Sequence, residues 1–247
     1  MAMATSRAFT LIELLTVMAI IAILSGILMP AAVSARAMAH QYSATQALGQ
    51  LGTASGLYAA DSDETFMPAF YASGPDIQFW FGMRDPQLAI HSEYSLLRQY
   101  CGRKRLVDPT FHAKEYLGDM SGFGYNWAFL GSDYGITGNF LSFPNCQNPA
   151  KLTELNNPSK TIVLATSSYF YSPWVPHGDG ATYDYGFIDA PGFWFGNPDI
   201  DFRHMGNRSP DPAIKIVTSP GNAPVVYADS HTAVKKQAQV LNENFIR

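Results

Sequence analysis

The sequence predicts an α+β fold, in which one long N-terminal helix packs on an antiparallel β-sheet head. Residues 14–35 form an uncharged and strongly apolar run, and helical periodicity continues beyond it to about residue 60. From Phe66 onward the chain changes to short strand-like runs between Pro-rich and Gly-rich segments. We therefore expect residues 61–247 to form a globular α+β head.

The composition is that of a folded protein without a strong charge bias. Of the 247 residues, 47% are hydrophobic and 15% are charged, which is ordinary for a chain that buries a core. The formal net charge is -4, whereas proteins that hold nucleic acid through its phosphates usually show a basic excess. Arg103, Lys104 and Arg105 form the one dense basic cluster, which is typical of a solvated loop. We expect no nucleic-acid partner.

The apolar run of residues 14–35 is long enough to cross a membrane as a helix, which needs about 20 residues. Arg7 precedes the run with no acidic residue before it, so the positive-inside tendency places the N-terminus in the cytoplasm. We expect a single-pass protein of the cytoplasmic membrane with its head outside. A secretory signal peptide, cleaved near Ala35 or Ala37, and a simple signal anchor are the alternatives.

A single carboxylate, Glu13, stands at the start of the apolar run. Ionised side chains cost roughly 2.5–3.5 kcal/mol near a bilayer centre and less toward the interface, so a tolerated one indicates a function. Neither a signal peptide nor a simple anchor gives Glu13 a role.

The segment RAFTLIEL, residues 7–14, resembles the prepilin cleavage and methylation signal of type IV pilins and type II secretion pseudopilins. The resemblance implies a leader of residues 1–8, cleavage by prepilin peptidase between Ala8 and Phe9, and N-methylation of Phe9. The family usually has Gly where Ala8 stands. It also implies that Glu13 pairs with the N-terminal amine of a neighbouring subunit, which compensates two charges that are costly alone in lipid.

The same resemblance extends to Pro30, which falls where pilins have a proline that locally loosens the helix. We predict one helix over residues 9–60, with residues 14–35 in the membrane. Its outer half should present an apolar stripe to the head, formed by Met38, Tyr42, Ala47, Leu48, Leu51, Ala54 and Tyr58. Three glycines at near-helical spacing would allow close packing there: Gly49, Gly52 and Gly56.

The clearest strands are KTIVLATS at 160–167, AIKIVTS at 213–219, and the two arms of a hairpin within APVVYADSHTAVKK at 223–236. The hairpin should turn at Asp229 and Ser230. The C-terminal segment QAQVLNENFIR is weakly helical.

Both ends of the head are similar to a large group of bacterial pilin-like proteins of uncharacterised role. The similarity lies in residues 43–68 and in the motifs FRHMG at 202–206 and VVYADSHTAV at 225–234. That group usually has Gly where Ser230 stands. Because Asp-Gly suits a type I′ turn, Ser230 indicates a different or more strained turn.

Three residues near the C-terminus are candidate metal ligands. His204, Asp229 and His231 could converge on zinc or another divalent ion, since imidazole and carboxylate suit such ions. The alternative, which we favour, is a turn aspartate that caps its own backbone beside two hydrogen-bonding histidines. We therefore expect no bound metal.

Acidic loops at residues 61–64, 177–189 and 197–202 could hold calcium, as happens in some pseudopilins. None has the spacing of a recognisable calcium loop, so we expect solvated loops and no cofactor. Cys101 and Cys146 fit either one disulfide or two unpaired thiols, and export favours the disulfide.

Two aromatic segments echo each other, FWFGMRDP at 79–86 and FWFGNPD at 193–199. As exposed platforms, Trp80 and Trp194 would suit carbohydrate or a partner surface, which makes a membrane-tethered binding module the second hypothesis of function. As core residues, which we expect, they would only stabilise the head.

The sequence predicts that the chain is not an enzyme. It has no Gly-x-Ser-x-Gly, no His-Glu-x-x-His and no phosphate-binding glycine loop, although a carboxylate pair would leave no local signature. A secreted hydrolase with a conventional signal is therefore a third hypothesis, without named catalytic residues. The leading hypothesis is a pilin-like structural subunit of a type II secretion pseudopilus or type IV pilus-like filament. Its partners would be prepilin peptidase, other pilin-like subunits and the cytoplasmic membrane.

Overall fold

The fold is described from a computed structural model of the chain. The described residues are 10–102, 105–116, 118, 121–138, 148–170, 180–191, 200–206, 209–211, 216–218 and 221–246. The chain divides into two compact units, residues 1–39 and residues 40–247, and each is described by itself.

One long helix, α1, spans Leu11–Asp61 and confirms the predicted helix within the described residues. In the first unit the side chains of residues 11–36 are all exposed. In the second unit, α1 buries Ala47, Leu48, Leu51 and Ala54, as the stripe predicts. Tyr42 was wrongly assigned to the stripe, since it is 66% exposed in the second unit. Met38 belongs to the first unit, where it is 57% exposed. Apolar spacing identifies a face of a helix, but it does not show how far the covering strands extend.

Helix α1 ends at the predicted polar cluster. Asp63 and Glu64 both have left-handed backbone conformations, with φ of 54° and 58°, which a continuing helix does not allow. The N–H of Ser62 still donates to the carbonyl of Ala59 at 3.1 Å, and that of Thr65 donates to Ser62 at 3.0 Å. On the surface of this turn, Lys151 Nζ forms an ion pair with Asp63 Oδ2 at 2.8 Å.

The head contains thirteen described strands and one short helix, α2, at Tyr134–Thr137. A five-stranded sheet has the order β13-β12-β6-β5-β9. Its members, in chain order, are β5 Phe123–Asn126, β6 Ile162–Thr166, β9 Phe187–Ile188, β12 Ala223–Tyr227 and β13 Thr232–Lys235. Strand β9 pairs parallel with β5, so this sheet is mixed instead of purely antiparallel as predicted.

A second sheet is an antiparallel meander in the order β1-β2-β3-β4. Its strands are β1 Phe70–Ser73, β2 Asp76–Phe79, β3 Gly82–Arg84 and β4 Ile90–His91. Two smaller antiparallel pairs complete the described strands: β7 Tyr169–Phe170 with β8 Thr182–Tyr183, and β10 Ser209–Asp211 with β11 Ile216–Thr218. The meander was not predicted because strands this short carry no clear alternation.

The predicted strands β6 and β12 lie inside the five-stranded sheet, whereas the predicted strand at 213–219 is described only as β11, in the separate pair with β10. Every residue of β6 and β12 is buried, as continuous apolar runs predict for strands covered on both faces. Val226 pairs with Leu164, and Leu164 pairs with Tyr125. The edge strand β13 alternates exposed with half-buried residues, and lysines at its end discourage pairing with another sheet edge.

The β12–β13 hairpin turns at the predicted position. Ser230 has a φ of 69°, which confirms the strained turn expected from Ser in place of Gly. The last residues form two 3-10 turns, Gln237–Gln239 and Asn242–Asn244, in place of a weak helix. Phe245, fully buried, anchors this end of the chain.

Candidate functional site

The start of α1 is a capping box built from Thr10 and Glu13. Glu13 Oε2 accepts hydrogen bonds from the N–H and the hydroxyl of Thr10, both at 2.8 Å. The N–H of Glu13 donates to Thr10 Oγ1 at 3.3 Å. This reciprocal pairing satisfies donors that the first turn of a helix leaves free. The pattern Thr-x-x-Glu was readable in the sequence, but the sequence analysis did not use it.

Glu13 keeps one carboxylate oxygen available. Both Thr10 bonds go to Oε2, and within the described part of the chain Oε1 accepts no hydrogen bond. A carboxylate has about four lone-pair sites. Glu13 can therefore cap its own helix and bind a second cationic or N–H group at the same time.

The helix beyond Glu13 is apolar on every side. It is long and apolar enough to cross a membrane by length and composition. Large hydrophobic side chains are exposed all around it: Leu14, Leu15, Val17, Met18, Ile20, Ile21, Ile23, Leu24, Ile27, Leu28, Met29 and Val33. A helix that is hydrophobic all round needs lipid or other helices around it.

Pro30 lies inside α1. Having no N–H, it leaves the carbonyl of Gly26, four residues earlier, without its helical donor. Gly26 has no neighbouring atom within 4 Å of an added Cβ. A glycine one turn before a proline makes this the most deformable part of the apolar run.

The predicted processing site cannot be placed. Ala8 and Phe9 lie outside the described residues, as does the rest of the leader. The cleavage and methylation of this peptide bond remain predictions.

The three candidate metal ligands do not converge. His204 Nε2 lies 3.0 Å from Asp108 Oδ2, while His231 Nδ1 pairs with Asp229 Oδ1 in the exposed hairpin turn. His231 also stacks on Tyr227, with ring centroids 4.3 Å apart. Among the described residues no group of three or more His, Cys, Asp or Glu side chains could hold a metal. The metal hypothesis at His204, Asp229 and His231 is therefore not supported.

His204 instead belongs to a buried ionic cluster that the sequence analysis missed, formed by Asp108, Asp201, Arg203 and His204. Arg203 Nε lies 2.9 Å from Asp201 Oδ2 and 3.6 Å from Asp108 Oδ2, and all these side chains are almost inaccessible to water. Burial lowers the pKa of Arg203 to about 10, against the opposing effect of Asp108. Asp201 and His204 are neighbours of Arg203 in the sequence, but Asp108 is far away along the chain, so no local signal could have revealed that these four residues meet.

The ionic cluster joins four segments of the head, at residues 108–111, 122, 167 and 201–204. Arg203 Nη2 donates to the carbonyls of Gly122 at 3.0 Å and Ser167 at 2.6 Å, and its guanidinium lies 4.7 Å from the Phe111 ring centroid. Burial by itself would raise the pKa of Asp108, but the hydrogen bond of His204 and the charge of Arg203 hold it below its usual value. The cluster links distant segments of the head, and among the described residues Arg203 Nη1 and His204 Nδ1 are buried without a hydrogen-bond partner.

The acidic loop at residues 61–64 is largely exposed, as expected, but the described parts of the other two acidic loops are not solvated. Asp184, Asp189 and Asp201 are buried. Asp189 Oδ1 accepts the indole N–H of Trp127 at 2.6 Å, and Asp184 accepts the N–H of Tyr116. These carboxylates satisfy buried donors, which a sequence pattern cannot show. Residues 177–179 and 197–199 lie outside the described part of the chain.

The first aromatic segment is core, as expected. Phe79, Trp80 and Phe81 are at most 7% exposed, and the Trp80 indole donates to the carbonyl of Gly186. Trp80 is therefore not a carbohydrate platform, and Trp194 lies outside the described residues. Cys101 is half-buried and has no disulfide partner among the described residues; Cys146 lies outside them, so the pairing of the two cysteines remains a prediction.

Comparison with known families finds one match. A family described as "Prokaryotic N-terminal methylation motif" matches residues 3–29. That range covers the predicted cleavage site, Glu13 and most of the apolar run. No curated protein and no solved structure matches the chain.

Proposed function

We propose that this chain, a pilin-like protein by its N-terminal methylation motif and long apolar helix, is a subunit of a type II secretion pseudopilus or type IV pilus-like filament. The motif implies processing by a prepilin peptidase and pilin-like assembly. In this proposal the peptidase cuts between Ala8 and Phe9 and methylates Phe9. The head then lies outside the cytoplasmic membrane, on a periplasmic or surface filament.

The apolar helix is the observation that carries the proposal. Its large apolar side chains from Leu11 to Val33 are exposed in the N-terminal unit. In the membrane, lipid covers them. In a filament, the apolar helices of neighbouring subunits would cover these side chains instead of lipid. Lipid tails are as apolar as the side chains, so close packing between helices, and not a hydrophobic driving force, would favour the filament.

Glu13 would fix the register in which the helices of neighbouring subunits pack. Cleavage before Phe9 creates an ammonium one helical turn from Glu13, and the free Oε1 supports pairing with the ammonium of a neighbouring subunit. The Thr10 bonds hold the carboxylate in one rotamer before assembly. A charge pair in an apolar environment stabilises one arrangement and penalises every arrangement that leaves either charge unpaired.

The structural role includes no catalytic activity and no cofactor. The alternative is a membrane-tethered module that binds carbohydrate through aromatic side chains of the head. Trp80, the first of its two candidate binding residues, is buried and cannot contact a carbohydrate.

Mass spectrometry of the N-terminal peptide tests the processing step. The protein is recovered from host membranes with and without prepilin peptidase. We expect a chain that begins with N-methylated Phe9 when the peptidase is present, and the uncut leader when it is absent. A chain that begins at Arg36 or Met38 in both strains would refute the proposal and establish conventional secretion.

A second experiment tests the assembly step separately. Glu13→Gln should be processed normally but should be lost from the sheared filament fraction. Ser25→Ala is the matched control, because it also removes a polar group from the apolar run without removing a charge. Equal filament yields from Glu13→Gln and the parent chain would show that Glu13 is not needed for assembly.

A further inference from the structure

The turn between β3 and β4 is closed by Asp85. Its N–H donates to the carbonyl of Ala89 at 3.0 Å, and its own carbonyl accepts the N–H of Leu88 at 3.0 Å. Asp85 Oδ1 also accepts the N–H of Ala89 at 2.9 Å. The second carboxylate oxygen, Oδ2, takes no part in the turn and faces His91, the last residue of β4.

The imidazole ring of His91 lies between two carboxylates. Its Nε2 is 3.0 Å from Asp85 Oδ2, and its Nδ1 is 3.4 Å from Glu93 Oε1. Glu93 belongs to the 3-10 turn Ser92–Tyr94, which follows β4 directly. An ionised carboxylate only accepts hydrogen bonds, whereas a neutral imidazole has one N–H and one lone pair. Only the doubly protonated imidazolium therefore satisfies both carboxylates at once.

The surroundings of His91 favour this imidazolium. The hydrogen bond with Asp85 raises the pKa of His91 against a smaller effect of desolvation, and Glu93 adds to the rise. The bond to His91 lowers the pKa of Asp85. The pKa of Glu93 is lowered first by its own N–H and then by His91. Both carboxylates therefore stay ionised over about pH 5–8, the range in which a histidine changes its charge.

Three other charged side chains lie on the elements around β4: Arg84 in β3, Arg98 beyond the 3-10 turn, and Glu115 on the segment that packs against β4. Arg98 acts on Glu93, and Arg84 lies opposite Ile90, the residue before His91. The charges that raise the pKa of His91 are those of its two carboxylate neighbours. Its titration therefore depends on the contacts with Asp85 and Glu93.

Loss of one proton from His91 leaves one carboxylate without a donor. The contact with Asp85 is the shorter of the two and is hydrogen-bonded, so the remaining proton belongs on Nε2. Nδ1 then presents a lone pair to the negative charge of Glu93, and the two repel each other. The side chain of Glu93 is 53% exposed, so it has room to turn into solvent.

The chain on the far side of the 3-10 turn is fixed, so a change at Glu93 stays local. Gln78 Nε2 donates to the carbonyl of Tyr94 at 2.9 Å. The turn itself is closed by the N–H of Ser95, which donates to the carbonyl of Ser92 at 3.2 Å. The exposed ring of Tyr94 lies 6.2 Å from the ring of His91, between centroids. The surface that changes is therefore the one around Tyr94.

We propose that His91 is a pH-sensitive link between the β3–β4 turn and the 3-10 turn that follows it. The protonated ring binds Asp85 and Glu93 together. As the pH rises through the raised pKa of His91, the link to Glu93 is lost, the 3-10 turn loosens, and the surface beside Tyr94 gains negative charge. The link does not depend on processing or assembly of the chain.

Nitrogen-15 NMR of the histidine rings, in the full chain in detergent micelles, tests the protonation step from about pH 5 to about pH 9. We expect His91 to keep both ring protons to a higher pH than the exposed His112, and to keep its last proton on Nε2. Asp85→Asn should lower the midpoint of the His91 titration, and Glu93→Gln should lower it less. Glu115→Gln, the matched control, removes another exposed carboxylate and should leave the midpoint unchanged.

Amide hydrogen exchange tests the loosening of the 3-10 turn. Protection factors are compared, so that the intrinsic effect of pH on exchange cancels. Protection of the Ser95 N–H should fall severalfold as the pH rises through the His91 midpoint, whereas the Ala89 N–H, which Asp85 holds, should stay protected. In His91→Gln, protection of Ser95 should not depend on pH. The proposal is overturned if His91 titrates together with His112, or if Ser95 of the parent chain is equally protected on both sides of the midpoint.

Discussion

Gly52 of α1 lies so close to Val226 of β12 that a Cβ at residue 52 would overlap Val226 Cγ2 and lie 3.3 Å from two further Val226 atoms. The neighbouring glycines on this face are less tightly packed: a Cβ at Gly49 would lie 3.4 Å from Thr232, and one at Gly56 would lie 3.3 Å from Ser230 Oγ. The C-terminal hairpin therefore sits in a groove formed by Gly49, Gly52 and Gly56.

Gly52→Ala should destabilise the head. Alanine favours the helix by up to about 1 kcal/mol, but the overlap with Val226 costs roughly 1–3 kcal/mol in a packed core. We expect a net loss in the free energy of unfolding, measured by urea titration of the full chain in micelles with tryptophan fluorescence. Gly49→Ala, the matched control, should be neutral or stabilising. In the Val226→Ala background, Gly52→Ala should cost less than it does in the parent chain. If it costs as much in both, the overlap with Val226 is not the cause.

Asp108→Asn should destabilise the head and flatten its acid pH dependence. The pKa of Asp108 is lower in the folded than in the unfolded chain. Its ionised carboxylate therefore contributes fully to the free energy of unfolding above the unfolded pKa of about 3.9, and this contribution is lost as the pH falls through the folded pKa. Removing the carboxylate from the buried cluster should cost roughly 3 kcal/mol at neutral pH. Unfolding free energies measured from pH 7 to pH 2 test both effects. Glu243→Gln changes an exposed carboxylate, so its free energy of unfolding should depend on pH as that of the parent chain does.

Ser230→Gly should stabilise the hairpin. A non-glycine residue in the left-handed region costs roughly 1–2 kcal/mol, part of which is offset by the greater freedom of glycine in the unfolded chain. We expect a gain of up to about 1 kcal/mol in thermal or urea unfolding. Ser230→Ala removes the same hydroxyl but keeps the strained backbone, so it should give no gain. A gain of equal size from both variants would point to the hydroxyl instead of the backbone.

Thr10→Val should fray the first turn of α1. It removes the hydroxyl that bonds Glu13 while keeping a similar volume, and losing such a cap costs about 1 kcal/mol. Faster amide hydrogen exchange at residues 11–13 measures the effect in micelles. Thr10→Ser keeps the hydroxyl and should exchange like the parent chain. Unchanged exchange in Thr10→Val would show that the capping box does not stabilise this turn.

The helix and the central strands were predictable because their signals are local. An uncharged apolar run and a three-to-four residue spacing define α1, and the runs around Leu164 and Val226 define β6 and β12. The turn at Ser230 followed from the residues that such turns require. The position of Glu13 also follows from its sequence motif, which the family comparison matches.

The sequence by itself determined the long helix, the prepilin-type start, the two central strands and the strained hairpin, since each depends on residues within a few positions of one another. Tertiary structure decided the parallel pairing of β9, the burial of Asp184 and Asp189, and the ionic cluster around Arg203. It also separated His204 from His231. These features join residues far apart in the chain, and their energies depend on desolvation and packing that appear only when the whole head has folded.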